Sequence, residues 1–127
     1  MKIKIGPEST IKDVQTAFSE VYPYLRVDFY KTHHKTQELF EDKDMIAPTK
    51  LFGLVSKSIT PKTIDISPNR KVSDLEKTIY KKLGIAMQVS RRSGDLWLQT
   101  SKTDDWTLAK QNQSGQAMIP QSATTPS

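Results

Sequence analysis

The chain has 127 residues, of which 35% are hydrophobic and 26% charged, and 19 Lys and Arg against 14 Asp and Glu give a formal net charge of +5. That length suits one domain, and the absence of cysteine excludes thiol catalysis, disulfide frameworks and cysteine zinc sites. No stretch approaches the roughly 20 apolar residues of a membrane span, so a soluble, cytoplasmic protein with no membrane partner is expected.

Residues 2–5 alternate Lys-Ile-Lys-Ile and predict a short strand. Thr10 and Asp13 then have the spacing of a capping box, and Ile11, Val14, Phe18, Val21 and Tyr22 form one apolar stripe, which predicts a helix ended by Pro23. Leu25, Val27 and Phe29 alternate with Arg26, Asp28 and Tyr30 as a half-buried strand does. Between Lys31 and Lys50 the pattern weakens, with a short acidic helix expected at Thr36 to Asp44.

Leu51–Ser58 and Thr63–Ile66 read as two strands of a hairpin turning at Thr60-Pro61-Lys62. Val72, Leu75, Ile79 and Leu83 share one helical face, Ser73 and Glu76 have capping-box spacing, and Gly84 is placed to close the helix. A second hairpin is expected from Ala86–Ser90 and Asp95–Thr100 through Arg91-Arg92-Ser93-Gly94, with Val89, Leu96 and Leu98 in the core. Asp104 is placed to cap a turn or short helix entering Trp106-Thr107-Leu108-Ala109. Beyond Lys110 the chain is rich in Gln, Ser, Thr, Ala and Pro, so a globular domain over residues 1–110 and a disordered polar tail over 111–127 are expected.

At an offset of 61 residues Ile3, Ile5, Pro7 and Asp13 match Ile64, Ile66, Pro68 and Asp74. Both stretches read strand, proline-containing connector, helix, strand. An internal βαβ duplication would produce this, and so would two unrelated strand–cap–helix units choosing the same residue types. The fold class expected is α+β, with a mixed five- to six-stranded sheet packed by two helices.

From Leu51 to Asn112 the expected order ββαββ and a closing turn resembles the ubiquitin-like β-grasp fold. The likeness rests on Thr63-Ile64-Asp65-Ile66, on Val72, Leu75 and Ile79, on Gly84-Ile85, and on Asp104-Asp105-Trp106-Thr107-Leu108. The resemblance implies a fold and a habit of binding proteins through a sheet surface. The chain ends Thr-Thr-Pro-Ser and lacks a terminal Gly-Gly, so no modifier activity is implied.

The residue types that carry catalysis are sparse. The two histidines, His33 and His34, are adjacent, and no nucleophile elbow, phosphate loop or dinucleotide fingerprint can be built from five scattered glycines. No enzyme activity, metal or cofactor is expected. Charge supplies the remaining signal: residues 50–92 hold ten Lys and Arg against Asp65, Asp74 and Glu76, a net of +7. Lys77 and Lys81 share the solvent face of the second predicted helix, Arg91 and Arg92 lie in the second hairpin, and Trp97 is placed opposite the core. These five are the candidate binding residues. A protein-interaction or structural module is the expected function, with the protein partner met at an open sheet face or an edge strand. The alternative is a nucleic-acid-binding module using the basic region, in which aromatics stack bases and cations hold phosphates.

Overall fold

In the computed structural model, residues 1–31, 41–57 and 60–118 are described, apart from the side chain of Asp42. The elements in order are β1 (Lys2–Ile5), α1 (Ile11–Val21), β2 (Leu25–Tyr30), α2 (Phe52–Val55), β3 (Lys62–Asp65), α3 (Val72–Leu83), β4 (Ala86–Ser93), β5 (Leu96–Gln99) and α4 (Leu108–Ala117). Short 3-10 turns lie at Asp42–Asp44 and Ser101–Thr103. His33, His34, most of the expected 36–44 helix and residues 119–127 lie outside the described residues.

Local signals build the first elements. Alternation in β1 turns Ile3 and Ile5 inward. The Thr10 hydroxyl accepts the Asp13 amide at 3.1 Å while the Asp13 carboxylate accepts the Thr10 amide at 3.0 Å, so the expected capping box starts α1. Gly84 closes α3 at φ 73°, a left-handed conformation that glycine adopts at no steric cost.

The class is α+β, with five strands and four helices among the described residues. The strands form two antiparallel sheets, not one mixed sheet. β1 pairs with β3, Ile3 opposite Ile64, and a second sheet has the order β2-β4-β5, with Val27 opposite Val89. α1, α2 and α3 therefore each link strands of different sheets, and the β1–β3 and β2–β4 pairings join one half of the chain to the other. Of the isoleucines matched by the 61-residue offset, Ile3 and Ile64 face each other across the β1–β3 pair, while Ile5 lies opposite Lys62.

The correspondence continues through the backbone. The Ile11 and Lys12 amides donate to the Lys50 and Pro48 carbonyls, as those of Val72 and Ser73 donate to Trp106 and Asp104. Phe52 and Gly53 donate to Ser9 and Pro7, as Leu108 and Ala109 donate to Arg70 and Pro68. The bonds repeat at fixed offsets of 61 and 56 residues, and α2 and α4 occupy equivalent places. The orphan amides at the starts of α1 and α3 are thus satisfied by the loops that precede α2 and α4.

The structure departs from the sequence reading in four places. Phe52–Val55 is helical, not strand, because its first amides are held by the Ser9 and Pro7 carbonyls; the expected 51–66 hairpin does not form and β3 pairs with β1. α3 has at its N-cap Lys71, whose ammonium cannot accept an amide, so it has no side-chain cap; Ser73 lies inside the helix, and Glu76 accepts the Val89 amide instead. Thr107, not Asp104, caps α4 by accepting the Lys110 amide at 3.1 Å. Residues 111–117, expected in the polar tail, are helical, with Gln111 and Gly115 buried. Gln111 donates to the Thr103 carbonyl at 2.7 Å, and Asn112 accepts the Tyr24 amide at 2.9 Å. A polar helix is held here by hydrogen bonds instead of an apolar stripe.

The core is continuous between the two halves. It includes Ile11, Val14 and Phe18 of α1, Leu75, Ile79 and Leu83 of α3, Leu25, Val27 and Phe29 of β2, and Val89 of β4. Phe29 and Phe52 meet edge to face at 5.1 Å. Among the described residues no helix is long and apolar enough to cross a membrane.

Candidate functional site

Strand alternation sorts the side chains of the three-stranded sheet onto two faces. On the core face Leu25 lies opposite Arg91, and Arg91 opposite Leu98. On the other face Arg26 lies opposite Ser90, Ser90 opposite Gln99, and Arg92 opposite Trp97. The outer face is polar and largely covered: Asp28, Gln88 and Ser90 are buried there.

Arg26 and Arg92 converge on Trp97. Their guanidinium carbons sit 5.3 and 5.8 Å from the centre of the indole. Arg26 is steered by its Nε, which donates to Asp28 at 3.0 Å, and Asp28 also accepts from Gln15 at 3.0 Å. Arg92 is steered by its Nε, which donates to the Gly94 carbonyl at 2.8 Å. Two cations therefore share one half-buried indole, with one carboxylate paired to the set.

The core face of the hairpin differs. Arg91 lies against α4, its Nη1 donating to Gln111 Oε1 at 2.7 Å and its guanidinium 5.3 Å from the Trp106 ring centre. Lys110 Nζ is 4.2 Å from the same ring centre. One strand further out, Leu96 and Leu98 are 66% and 44% exposed among the described residues, although the alternation pattern places them in the core. α4 stops short of β5, because Gly115 settles over Tyr24 and Arg91. The chain then turns so that the Met118 carbonyl accepts the Gly94 amide at 3.3 Å, and the Met118 side chain is 53% exposed.

The two lateral edges of this sheet are treated differently. Along β2, α1 reaches over: Gln15 donates to the Val27 carbonyl at 2.8 Å, and the Ser19 hydroxyl to the Leu25 carbonyl at 3.4 Å. Those side chains also line a shallow groove of about 400 Å³ with Lys12, Thr16, Glu20 and Arg26. Along β5 no further strand follows among the described residues. Thr100 donates its amide to the Val89 carbonyl at 3.1 Å. By antiparallel alternation Leu98 and Leu96 turn their backbone groups toward β4, and Trp97 turns its N–H and C=O outward.

The five candidate residues do not form one cluster. Arg92 and Trp97 meet, joined by Arg26, which the sequence reading passed over although its place between Leu25 and Val27 put it on the same outer face. Arg91 is on the opposite face, against α4. Lys77 and Lys81 are exposed on α3. Lys77 faces Asp104, whose carboxyl is held above the usual range by burial and by Asp105, with Lys77 acting the other way. Among the described residues no group of three or more His, Asp or Glu side chains is placed to hold a metal ion.

No family model, curated protein or solved structure matches the chain.

Proposed function

We propose that this protein is a non-enzymatic protein-interaction module that takes an extended segment of its partner as an added strand on β5. The observation that carries the reading is the state of that edge. Among the described residues β5 ends the sheet, with outward backbone groups at Trp97 and two leucines exposed beside it. Unprotected edges of this kind are templates for strand addition, and proteins that do not use them blunt them with charge, proline or a covering element. β2 in the same sheet is blunted in that manner by Gln15 and Ser19.

Selection of extended peptides against the full chain tests the reading. Binders are expected to slow amide exchange at Trp97 and to be lost on Leu96→Lys with Leu98→Lys. Binders that leave β5 exchange unchanged and retain affinity for that variant would remove the assignment.

A second reading, binding of single-stranded nucleic acid on the outer face, is favoured by the two guanidiniums against Trp97. It requires affinity that falls steeply with salt as counterions compete for phosphates.

A further inference from the structure

The two faces of β5 differ so sharply that they constrain the sequence of whatever pairs with it. A strand added beside β5 must place successive side chains on alternate faces, directly opposite Leu96, Trp97 and Leu98. Residues opposite Leu96 and Leu98 land next to exposed leucine side chains. The residue between them lands next to Trp97, where the Arg26 and Arg92 guanidiniums lie.

The charge on that side is unevenly met. Arg26 has Asp28 at 3.0 Å. Arg92 has a backbone carbonyl as its partner and no carboxylate within 4.0 Å among the described residues; Asp95 is exposed on the turn. A side chain arriving opposite Trp97 therefore meets net positive charge in a half-covered site, where a carboxylate gains a charge-assisted hydrogen bond and a lysine meets repulsion.

Resting on the strand-addition reading, we propose that the partner segment is an extended strand with the pattern apolar, acidic, apolar, its carboxylate opposite Trp97 and its apolar side chains on Leu96 and Leu98. A second copy of this chain is the poorer fit. Antiparallel self-pairing centred on Trp97 would bring the Arg26 and Arg92 pairs of both copies to one face over two indoles and place no carboxylate directly opposite Trp97, Asp95 falling opposite Gln99 instead.

The test uses the full chain and three synthetic peptides of one length, alternating valine with Glu, with Gln, or with Lys. Affinity is read by titration calorimetry and location by amide exchange across β5. The Glu peptide is expected to bind and to protect Trp97, the Gln peptide to bind about tenfold more weakly, and the Lys peptide not to bind. Arg92→Gln should bring the Glu peptide down to the level of the Gln peptide. If Arg92→Gln shifts the thermal midpoint, the salt dependence of the Glu peptide against that of the Gln peptide on the native chain carries the same comparison.

Equal affinity of the Glu and Gln peptides, with β5 protected, would overturn the acidic requirement and leave the strand-addition reading standing. Failure of all three peptides to protect β5 would overturn both. A single-stranded oligonucleotide that binds with Arg92 dependence and displaces the Glu peptide would reassign the outer face to phosphate. Dimerisation of the chain alone that is lost in Leu98→Lys would assign the edge to a second copy.

Discussion

Gln15 and Glu76 occupy the same place in the two halves of the chain, 61 residues apart, and bond to opposite backbone groups. Gln15 Nε2 donates to the Val27 carbonyl at 2.8 Å, whereas Glu76 Oε2 accepts the Val89 amide at 3.1 Å. The carboxylate pays a penalty that the amide avoids. Burial pushes the Glu76 carboxyl up to about 8; the Val89 amide opposes this and Asp104 reinforces it. A carboxyl that titrates higher in the folded than in the unfolded chain binds extra protons on folding between about 4.5 and about 8. Stability from this group is therefore greatest at the acidic end of that window and declines as pH rises through it. Glu76→Gln should remove the decline, with a gain on the order of 3 kcal/mol above pH 8 relative to the native chain. Urea midpoints at pH 5, 7 and 9 measure it, and parallel pH profiles for the two proteins would count against the assignment.

Gly115 sets how closely α4 approaches the sheet. A Cβ built there would lie 2.9 Å from Tyr24 Cβ, 3.0 Å from the Tyr24 carbonyl and 3.2 Å from Arg91 Cγ. Backbone cannot give way as a side-chain tip can, so Gly115→Ala should lift the last turn of α4 and cost about 1–3 kcal/mol despite the better helix propensity of alanine. Chemical denaturation gives the magnitude. A neutral or stabilising result would mean that α4 is not packed on Tyr24 in solution.

How much of this was legible in the sequence depends on where each element gets its bonds. α1 and α3 show in the spacing of Ile11, Val14 and Phe18 and of Leu75, Ile79 and Leu83, because their own apolar faces make the core. α2 does not show, and of α4 only its entry at Trp106-Thr107-Leu108-Ala109 does, because the first two amides of each are caught by carbonyls more than 35 residues away in sequence (Pro7, Ser9, Pro68 and Arg70), and composition carries no trace of that. The repeat is visible as four identities, and that Ile3 pairs with Ile64 shows only in the structure. At the site, alternation correctly separates Trp97 from Leu96 and Leu98 but not core from solvent. That choice depends on α4 ending over Arg91, which no local pattern encodes.

The same alternation gives a direct contrast in stability. Leu75 and Ile79 are fully buried, so truncating either to alanine should cost about 2–5 kcal/mol through lost transfer energy and the cavity left behind. Leu96 and Leu98, of similar size and also expected in the core, should each cost under about 0.5 kcal/mol on the same change. Thermal unfolding of the four single variants separates them. A large loss at Leu96 or Leu98 would mean that the leucines are covered in the isolated protein and would weaken the case for an open edge.

Arg91 and Arg92 are adjacent in sequence, equal in charge and unequal in role, and this can be measured. Arg91 is half-buried with α4 over it, bonded to Gln111 and stacked on Trp106, and its Nε is buried without a hydrogen-bond partner among the described residues. Removing its guanidinium leaves Gln111 Oε1 without a donor and Trp106 with Lys110 alone. Arg91→Gln should therefore cost about 1–3 kcal/mol. Arg92, bonded to a turn carbonyl on the outer face, should cost under about 1 kcal/mol as glutamine while still shifting the affinity for a charged partner. A double charge reversal at these two positions would mix a structural loss with a surface one, so reduced binding in such a variant would not identify a contact. Single substitutions with unfolding and binding read on the same samples make the distinction. Equal destabilisation by the two would show that the faces of the hairpin are not divided as described.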